Sequence, residues 1–370
     1  MLCDINTKTK YRTQWASIPG QLAGSGGLCS YKNDTGNLKG HEPKFTMNLH
    51  LDVHLSYQNW YIIVILIFNE KKYLKMNIQP FEIHVSDTTL YDLQKRLAQT
   101  RWPDEIPNSG WNYGTDLGYL KELVDYWQHK FNWREQEVKL NKFDQFKAQV
   151  DGVNIHFIHM KGKGTNSTPI ILTHGWPDSF YRFYKVIPML TDPEKFGGKA
   201  EDSFDVVIPS LPGFGFSDRK AMTDTTIAEL WAKLMTKLLG YKRFTAAGGD
   251  LGSGVTKALA LKHADVVAAI HLTDVGYLTG LEDFSTMSEA EQQFASFIQR
   301  WLLTEGAYIF IQSTKPQTLG YGLNDSPIGL ASWIVEKFYA WSDCKGKCQQ
   351  ISKGICRFIA QNSYLYSRIV

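Results

Sequence analysis

Phe244 to Gly254, FTAAGGDLGSG, is a short apolar run that ends in small residues around a single carboxylate. Asp250 has Gly248 two residues before it and Gly252 two residues after it. That spacing predicts a nucleophile elbow, a sharp strand-to-helix turn that presents one side chain at its apex. The turn brings the strand and helix backbones so close that only small residues fit at the two flanking positions. The apex residue is Asp, not Ser, and that choice limits the chemistry.

The chain around the elbow alternates strand, turn and helix. Phe143 to Val150 and Val153 to Met160 read as two strands around an Asp151-Gly152 turn. Ile170 to Thr173 is a short buried strand that ends at HGWPDS, and Arg182 to Leu190 predicts a helix. Phe204 to Pro209 is the next strand and Thr226 to Leu239 a helix with an apolar stripe. After the elbow comes a helix to about His263 and a strand over Val266 to Leu272. Such alternation predicts a mostly parallel sheet with helices on both faces. Ligands bind such sheets at the carboxyl ends of strands, where HGWP, Asp250 and Asp274 all fall. Asp274 is a candidate for an acid partner in a relocated position, and Asp325 reads as a cap before a helix starting near Pro327.

Upstream, IQPFEIHVSD predicts an extended segment ending at an N-cap, Ser86 or Asp87. Helices come next over Thr89 to Gln99 and Tyr119 to Phe131, joined by a loop rich in Pro, Gly and Trp. This arm has too little apolar surface to fold alone and is expected to dock on the sheet region downstream of it. Residues 1–75 differ from the rest: they lack sustained periodicity and carry one apolar run, Trp60 to Phe68. That run is about half the roughly 20 residues a membrane helix needs, which argues against membrane association.

The 370 residues carry a net charge of +3, too small to point to nucleic acid. The five cysteines all lie near the ends, in spacings that fit neither a disulfide framework nor a zinc site. No metal or cofactor is expected, and with no secretory signature the reading is cytoplasmic.

Several segments occur together in a fixed order: TRWPDEIPNSGWNYG, THGWPDSFYRFYKVIPML, IPSLPGFGFSD, AAGGDLGSG and IQSTKPQTLGYGLNDSPIGLASWIVEKF. In this order, from about Met76 to about Trp341, the chain resembles the epoxide hydrolases of the microsomal type, on the α/β-hydrolase fold. The resemblance implies an atypical leader over 1–75, a helical arm over 76–142, a core over 143–275, a lid region over 276–341 and a divergent tail over 342–370. It implies that Asp250 is the nucleophile and Tyr308, on the lid, a ring-opening proton donor. His174, Gly175, Trp176 and Pro177 match the oxyanion-hole loop, with His174 read as a structural turn residue. The implied partner is a small-molecule epoxide, and a homodimer stays open.

The chemistry of a carboxylate nucleophile agrees. Attack on an amide would give an anhydride, a poor intermediate, whereas attack on a saturated carbon gives an ordinary ester. Epoxides and alkyl halides offer such a carbon. The backbone N–H groups of Trp176 and Leu251 would then stabilise charge on the Asp250 oxygen during ester hydrolysis. A dehalogenase needs an indole donor after the nucleophile, and Leu251 stands there instead. A third reading keeps the pocket as a non-catalytic binding protein.

Hydrolysis of the ester needs a histidine, which in this fold order comes after the nucleophile and the acid. The last histidine of the chain is His271, in a predicted strand. The expectation is therefore impaired turnover. SDCKGKCQQISKGICRFIAQNSYLYSRIV reads as an altered or shortened end, without the last strands of the sheet. Tyr364 and Tyr366 are not expected to serve as a second ring-opening tyrosine.

Overall fold

The computed structural model describes residues 78–274 and 283–343. The leader, Trp60 to Phe68, Tyr364 and Tyr366 lie outside the described residues. Seven strands form one sheet: β1 (Ile78–Pro80), β2 (Gln145–Val150), β3 (Val153–Met160), β4 (Thr168–Thr173), β5 (Phe204–Pro209), β6 (Phe244–Gly248) and β7 (Val267–Leu272). Their order is β1-β2-β3-β5-β4-β6-β7. The first three pairings are antiparallel and the rest parallel. The chain moves to opposite sides of β4 to form β5 and β6. Their carboxyl ends therefore flank the switch point where open sheets of this kind bind ligands.

Period-two side chains divide the sheet between two cores. On β5, Val206 and Ile208 face one core while Val207 faces the other; on β4, Leu172 and Ile171 split the same way. One core holds α5 (Asp224–Lys233) and α6 (Leu251–Lys262), through residues such as Trp231, Val255 and Leu259. The other holds the arm helices α1 (Asp87–Ala98), α2 (Leu117–His129) and α3 (Trp133–Leu140), together with α10 (Pro327–Trp341).

The arm does dock. Trp127 is 1% exposed and lies in one cluster with Leu97, Leu123 and Ile334. Trp111 stacks on Tyr339 with ring centroids 3.9 Å apart, and the Thr115 hydroxyl donates to the Ser332 carbonyl at 2.7 Å. Inside the arm, Glu137 is a buried hub. It accepts from the Val85 N–H at 2.7 Å and the Trp133 indole at 2.6 Å, and it pairs with Arg134 at 2.6 Å. A buried carboxylate is tolerated because every one of these donors is aimed at it. Replacing Trp127 with Ala is expected to destabilise the chain by about 3–5 kcal/mol. Denaturant unfolding measures this, and an unchanged midpoint would show that the arm is not part of the cooperative unit.

Several boundaries differ from the sequence expectation. The helix expected over Arg182 to Leu190 is a 3-10 turn, Phe180–Phe183, succeeded by the short α4, Val186–Thr191. A helix running from Arg182 would need an N–H that Pro188 lacks. Restarting at Val186 puts Pro188 in the first turn, where that group has no intrahelical partner anyway. Helix α3 has no counterpart in the sequence expectation because its buried face includes Gln136 and Glu137, which gives no apolar stripe. Asp325 is not the cap expected of it. Ser326 caps α10, accepting from the Gly329 N–H at 3.0 Å, while Asp325 ends α9 (Pro316–Asp325). Helix α5 ends at Lys233 and continues as a π-turn over Leu234–Leu238.

The lid stretch contributes α7 (Glu289–Thr304) and α8 (Ala307–Thr314) ahead of α9. Among the described residues, no helix is long and apolar enough to cross a membrane.

Candidate active site

Strand β6 ends at Gly248 and α6 begins at Leu251, so Asp250 sits at the apex of the turn. Its φ of +57° and ψ of −126° lie where L-residues are strained. A side chain at Gly252 would collide with the Thr173 carbonyl at the end of β4, so this crossing of backbones requires glycine. The elbow predicted from two glycines and a carboxylate is therefore present.

The Asp250 carboxylate is fixed through one oxygen. Oδ1 accepts from the Trp176 N–H at 2.8 Å and from the Leu251 N–H at 2.7 Å. Both donors are the ones expected from the sequence. Gly175 lies against the same carboxylate, where a side chain at position 175 would overlap it. Burial pushes the Asp250 carboxyl above the ordinary carboxylate range, and the charge of Asp274 adds to the rise; the two N–H bonds and Arg182 act in the opposite sense.

His174 and Pro177 belong to the loop but not to the cavity wall. The His174 ring is fully buried: Nε2 accepts from the Leu211 N–H at 3.2 Å and Nδ1 lies 3.0 Å from the Gly175 carbonyl. Both ring nitrogens serve to shape the loop. Burial lowers its pKa to about 4, so it is neutral. The Trp176-Pro177 peptide bond is cis.

A cavity of about 1360 Å³ lies in front of Asp250, lined by Trp176, Phe214, Leu251, Tyr308 and Tyr321 among others. Tyr308, on α8, is 8% exposed, and its ring stacks on Trp176 with centroids 4.8 Å apart and planes 15° from parallel. Trp341 packs at 5.2 Å from the same ring, and the Lys337 ammonium lies 5.4 Å from its centroid. The structure thus brings Asp250, Trp176, Leu251 and Tyr308 to one cavity. A second cavity of about 790 Å³ lies under the arm, among Trp127, Arg134 and Pro327, and does not include Asp250.

One ion pair escaped sequence reasoning. Asp178 and Arg182 form an ion pair at 2.9 Å; the Arg182 charge acts on Asp250, and the Asp250 charge acts on Asp178. The i,i+4 spacing within PDSFYR was the available signal. Asp274 accepts from the backbone N–H of Asp250 at 2.7 Å. Among the described residues no imidazole is hydrogen-bonded to Asp250. His263 lies 3.3 Å from Glu229, and His271 on β7 is exposed.

Comparison with known proteins gives concordant matches. A family model described as epoxide hydrolase N terminus matches residues 78–183, and one described as alpha/beta hydrolase fold matches residues 168–312. A protein of Stigmatella aurantiaca (strain DW4/3-1) that carries a provisional epoxide hydrolase name is 46% identical over 272 residues, 73% of this chain and 62% of that protein. Epoxide hydrolase 1 of Sus scrofa is 36% identical over 293 residues, 72% of this chain and 63% of its own length. The chain therefore spans less than two thirds of the length of these relatives. The crystal structure of juvenile hormone epoxide hydrolase from the silkworm Bombyx mori superposes with a TM-score of 0.68 at 31% identity, covering 78% of this chain and 73% of that one.

Proposed function

This chain belongs to the epoxide hydrolase family, and on that premise we propose that it opens an epoxide by attack of the Asp250 carboxylate on a ring carbon. The observation that carries the proposal is the way Asp250 is held. Oδ1 is bound by two backbone N–H groups, so Oδ2 is the oxygen left to attack. A bond forms between Oδ2 and the ring carbon as the carbon–oxygen bond of the epoxide breaks. The departing alkoxide takes the proton of the Tyr308 hydroxyl, and an alkyl ester remains on Asp250. Oδ1 is then the carbonyl oxygen of that ester. Charge that develops on it during attack by water meets the Trp176 and Leu251 N–H groups already aligned, each worth about 3 kcal/mol.

Tyr308 fits its role because the stack on Trp176 fixes its ring beside the oxyanion loop. Tyr308→Phe keeps that stack and removes the proton donor. It is expected to slow ester formation by about 10²-fold, measured in a single turnover, with little change in unfolding midpoint. An unchanged rate would remove Tyr308 from the mechanism.

The hydrolytic half needs a base beside the ester carbonyl. With no imidazole hydrogen-bonded to Asp250 among the described residues, we propose that this chain of 370 residues forms the ester faster than it hydrolyses it. Intact-mass spectrometry with a small aryl epoxide tests both halves. The expected result is an added mass equal to that of the epoxide, mapping to the peptide that contains Asp250. Sustained diol release would overturn the slow-hydrolysis reading while keeping the activity. The absence of both adduct and diol would favour a non-catalytic binding protein. Halide release from an alkyl halide with no epoxide adduct would favour a dehalogenase.

A further inference from the structure

We propose that Asp274 is a positioning residue that clamps the nucleophile: its carboxylate replaces a backbone carbonyl as the acceptor for the Asp250 N–H and so holds the strained turn. The inference rests on the reading of Asp250 as the nucleophile.

Strand register sets the geometry. Strands β6 and β7 run parallel, with Gly248 beside Leu272. The ladder extends one step further, because the Thr273 N–H donates to the Gly248 carbonyl at 3.1 Å. Two residues beyond Gly248 is Asp250, and two beyond Leu272 is Asp274. The register therefore brings the two side by side. A straight β6 would next pair its backbone with that of β7, but the chain turns into α6 there. The Asp250 N–H leaves the ladder and would be stranded in a half-buried turn. Asp274 supplies the missing acceptor with Oδ2 at 2.7 Å, a charge-assisted bond of the short, strong kind.

The need for a clamp arises from the geometry of the elbow. Asp250 has a positive φ, which persists only when neighbouring structure imposes it. The oxyanion-side bonds hold Oδ1 but not the backbone amide. Gly252 against the Thr173 carbonyl fixes the helix side of the turn, and the Asp274 bond fixes the strand side. The arrangement sets a second negative charge beside the nucleophile. That repulsion is tolerated because Arg182, paired to Asp178 at 2.9 Å, lies against Gly249 and offsets it.

A clamp and a relocated charge-relay acid predict different things. A relay acid acts through a histidine on hydrolysis of the ester, after the nucleophile has attacked. A clamp acts on the attack itself. The experiment measures single-turnover ester formation with an aryl epoxide, at saturation and at half-saturation, for wild type, Asp274→Ala and Asp274→Asn. It also measures hydrogen–deuterium exchange of the peptide spanning Asp250. Asp274→Asn keeps an acceptor oxygen while removing the charge. Asp274→Ala is expected to slow ester formation about 10- to 100-fold at saturation, with half-saturation unchanged, and to speed exchange at Asp250. Asp274→Asn is expected to restore both to near wild type. Wild-type ester formation in Asp274→Ala would overturn the clamp, as would an Asp274→Asn variant as slow as Asp274→Ala. If wild type forms no ester, the nucleophile reading fails by itself, and exchange then decides the clamp: unchanged exchange in Asp274→Ala overturns it, faster exchange supports it.

Discussion

Asp250→Asn is expected to form no covalent adduct with an epoxide under conditions where the wild-type chain is fully modified. The amide retains an oxygen for the Trp176 and Leu251 N–H groups, so the geometry of the turn survives while the attacking charge is lost. Intact-mass spectrometry reads the result directly, and a modified Asp250→Asn chain would place the nucleophile elsewhere. The same variant is expected to be no less stable than wild type. Burial and the Asp274 charge hold the Asp250 carboxyl above the ordinary range, so the folded state disfavours its ionised form. For a carboxyl raised in this way, the favourable contribution is present below the unfolded pKa and lost as pH rises through the folded one. At neutral pH the wild type therefore carries a penalty that Asn does not. The rate of ester formation runs in the opposite direction. Attack requires the carboxylate, so the rate falls as pH drops through the raised pKa, earlier than for an ordinary aspartate.

The second large effect concerns stability in acid. His156 and His174 are fully buried. His156 lies 2.8 Å from the Ser210 hydroxyl through Nδ1 and 3.0 Å from the Gln145 side-chain oxygen through Nε2. Burial lowers the two pKa values to about 3 and about 4, respectively. Once unfolded, both rings take up protons near the usual 6.5. Burial also lowers the pKa of His159, hydrogen-bonded to the Tyr241 hydroxyl, to about 4. Between roughly pH 6.5 and pH 4 the unfolded state thus binds about three more protons, and stability falls as pH falls. Each ring contributes about 1.4 kcal/mol per pH unit in that window, or about 3 kcal/mol by pH 4. The raised carboxyls of Asp178, Asp224 and Asp250 work against this trend, but they are less completely buried than the His156 and His174 imidazoles. Urea unfolding across the range is expected to show a steep net loss toward pH 4. Replacing His174 with Gln should lower that slope by about 1.4 kcal/mol per pH unit, whatever it does to stability at neutral pH. A slope unchanged by His174→Gln would contradict the assignment of that ring as neutral and buried.

The elements easiest to read from the sequence are those governed by local sterics. The Asp151-Gly152 hairpin turn lies where it is expected, with φ of +48° and +73°. Strand β5 has the expected bounds, Phe204–Pro209, because its central run Val206–Ile208 is apolar and buried on both faces. The two arm helices are shifted by two residues at most, since Ser86 and Asp116 cap them with side chains that accept from Thr89 and Tyr119. Helix α3 is illegible because buried Gln136 and Glu137 replace apolar residues on its inner face, and only the Val85 N–H, the Trp133 indole and Arg134 make that acceptable.

The elbow, the carboxylate at its apex and the adjacent Leu251 N–H follow from the local sequence, whereas the Trp176 N–H lies 74 residues away and reaches Asp250 only through the pairing of β4 with β6. Two small residues and one acid at fixed spacing leave a strand-to-helix turn few other conformations, and backbone sterics act over only a few residues. Only the tertiary structure decided what surrounds that carboxylate. Tyr308 reaches Trp176 across 132 positions of sequence because α8 packs its ring on the loop that follows β4. Asp274 reaches the Asp250 N–H because β6 and β7 run parallel with Gly248 beside Leu272, a register reached after a shift between Phe244 and Thr245 that no local signal announces. A parallel pairing closes only through an intervening helix, so its register is a property of the packed sheet and cannot be read from either strand by itself.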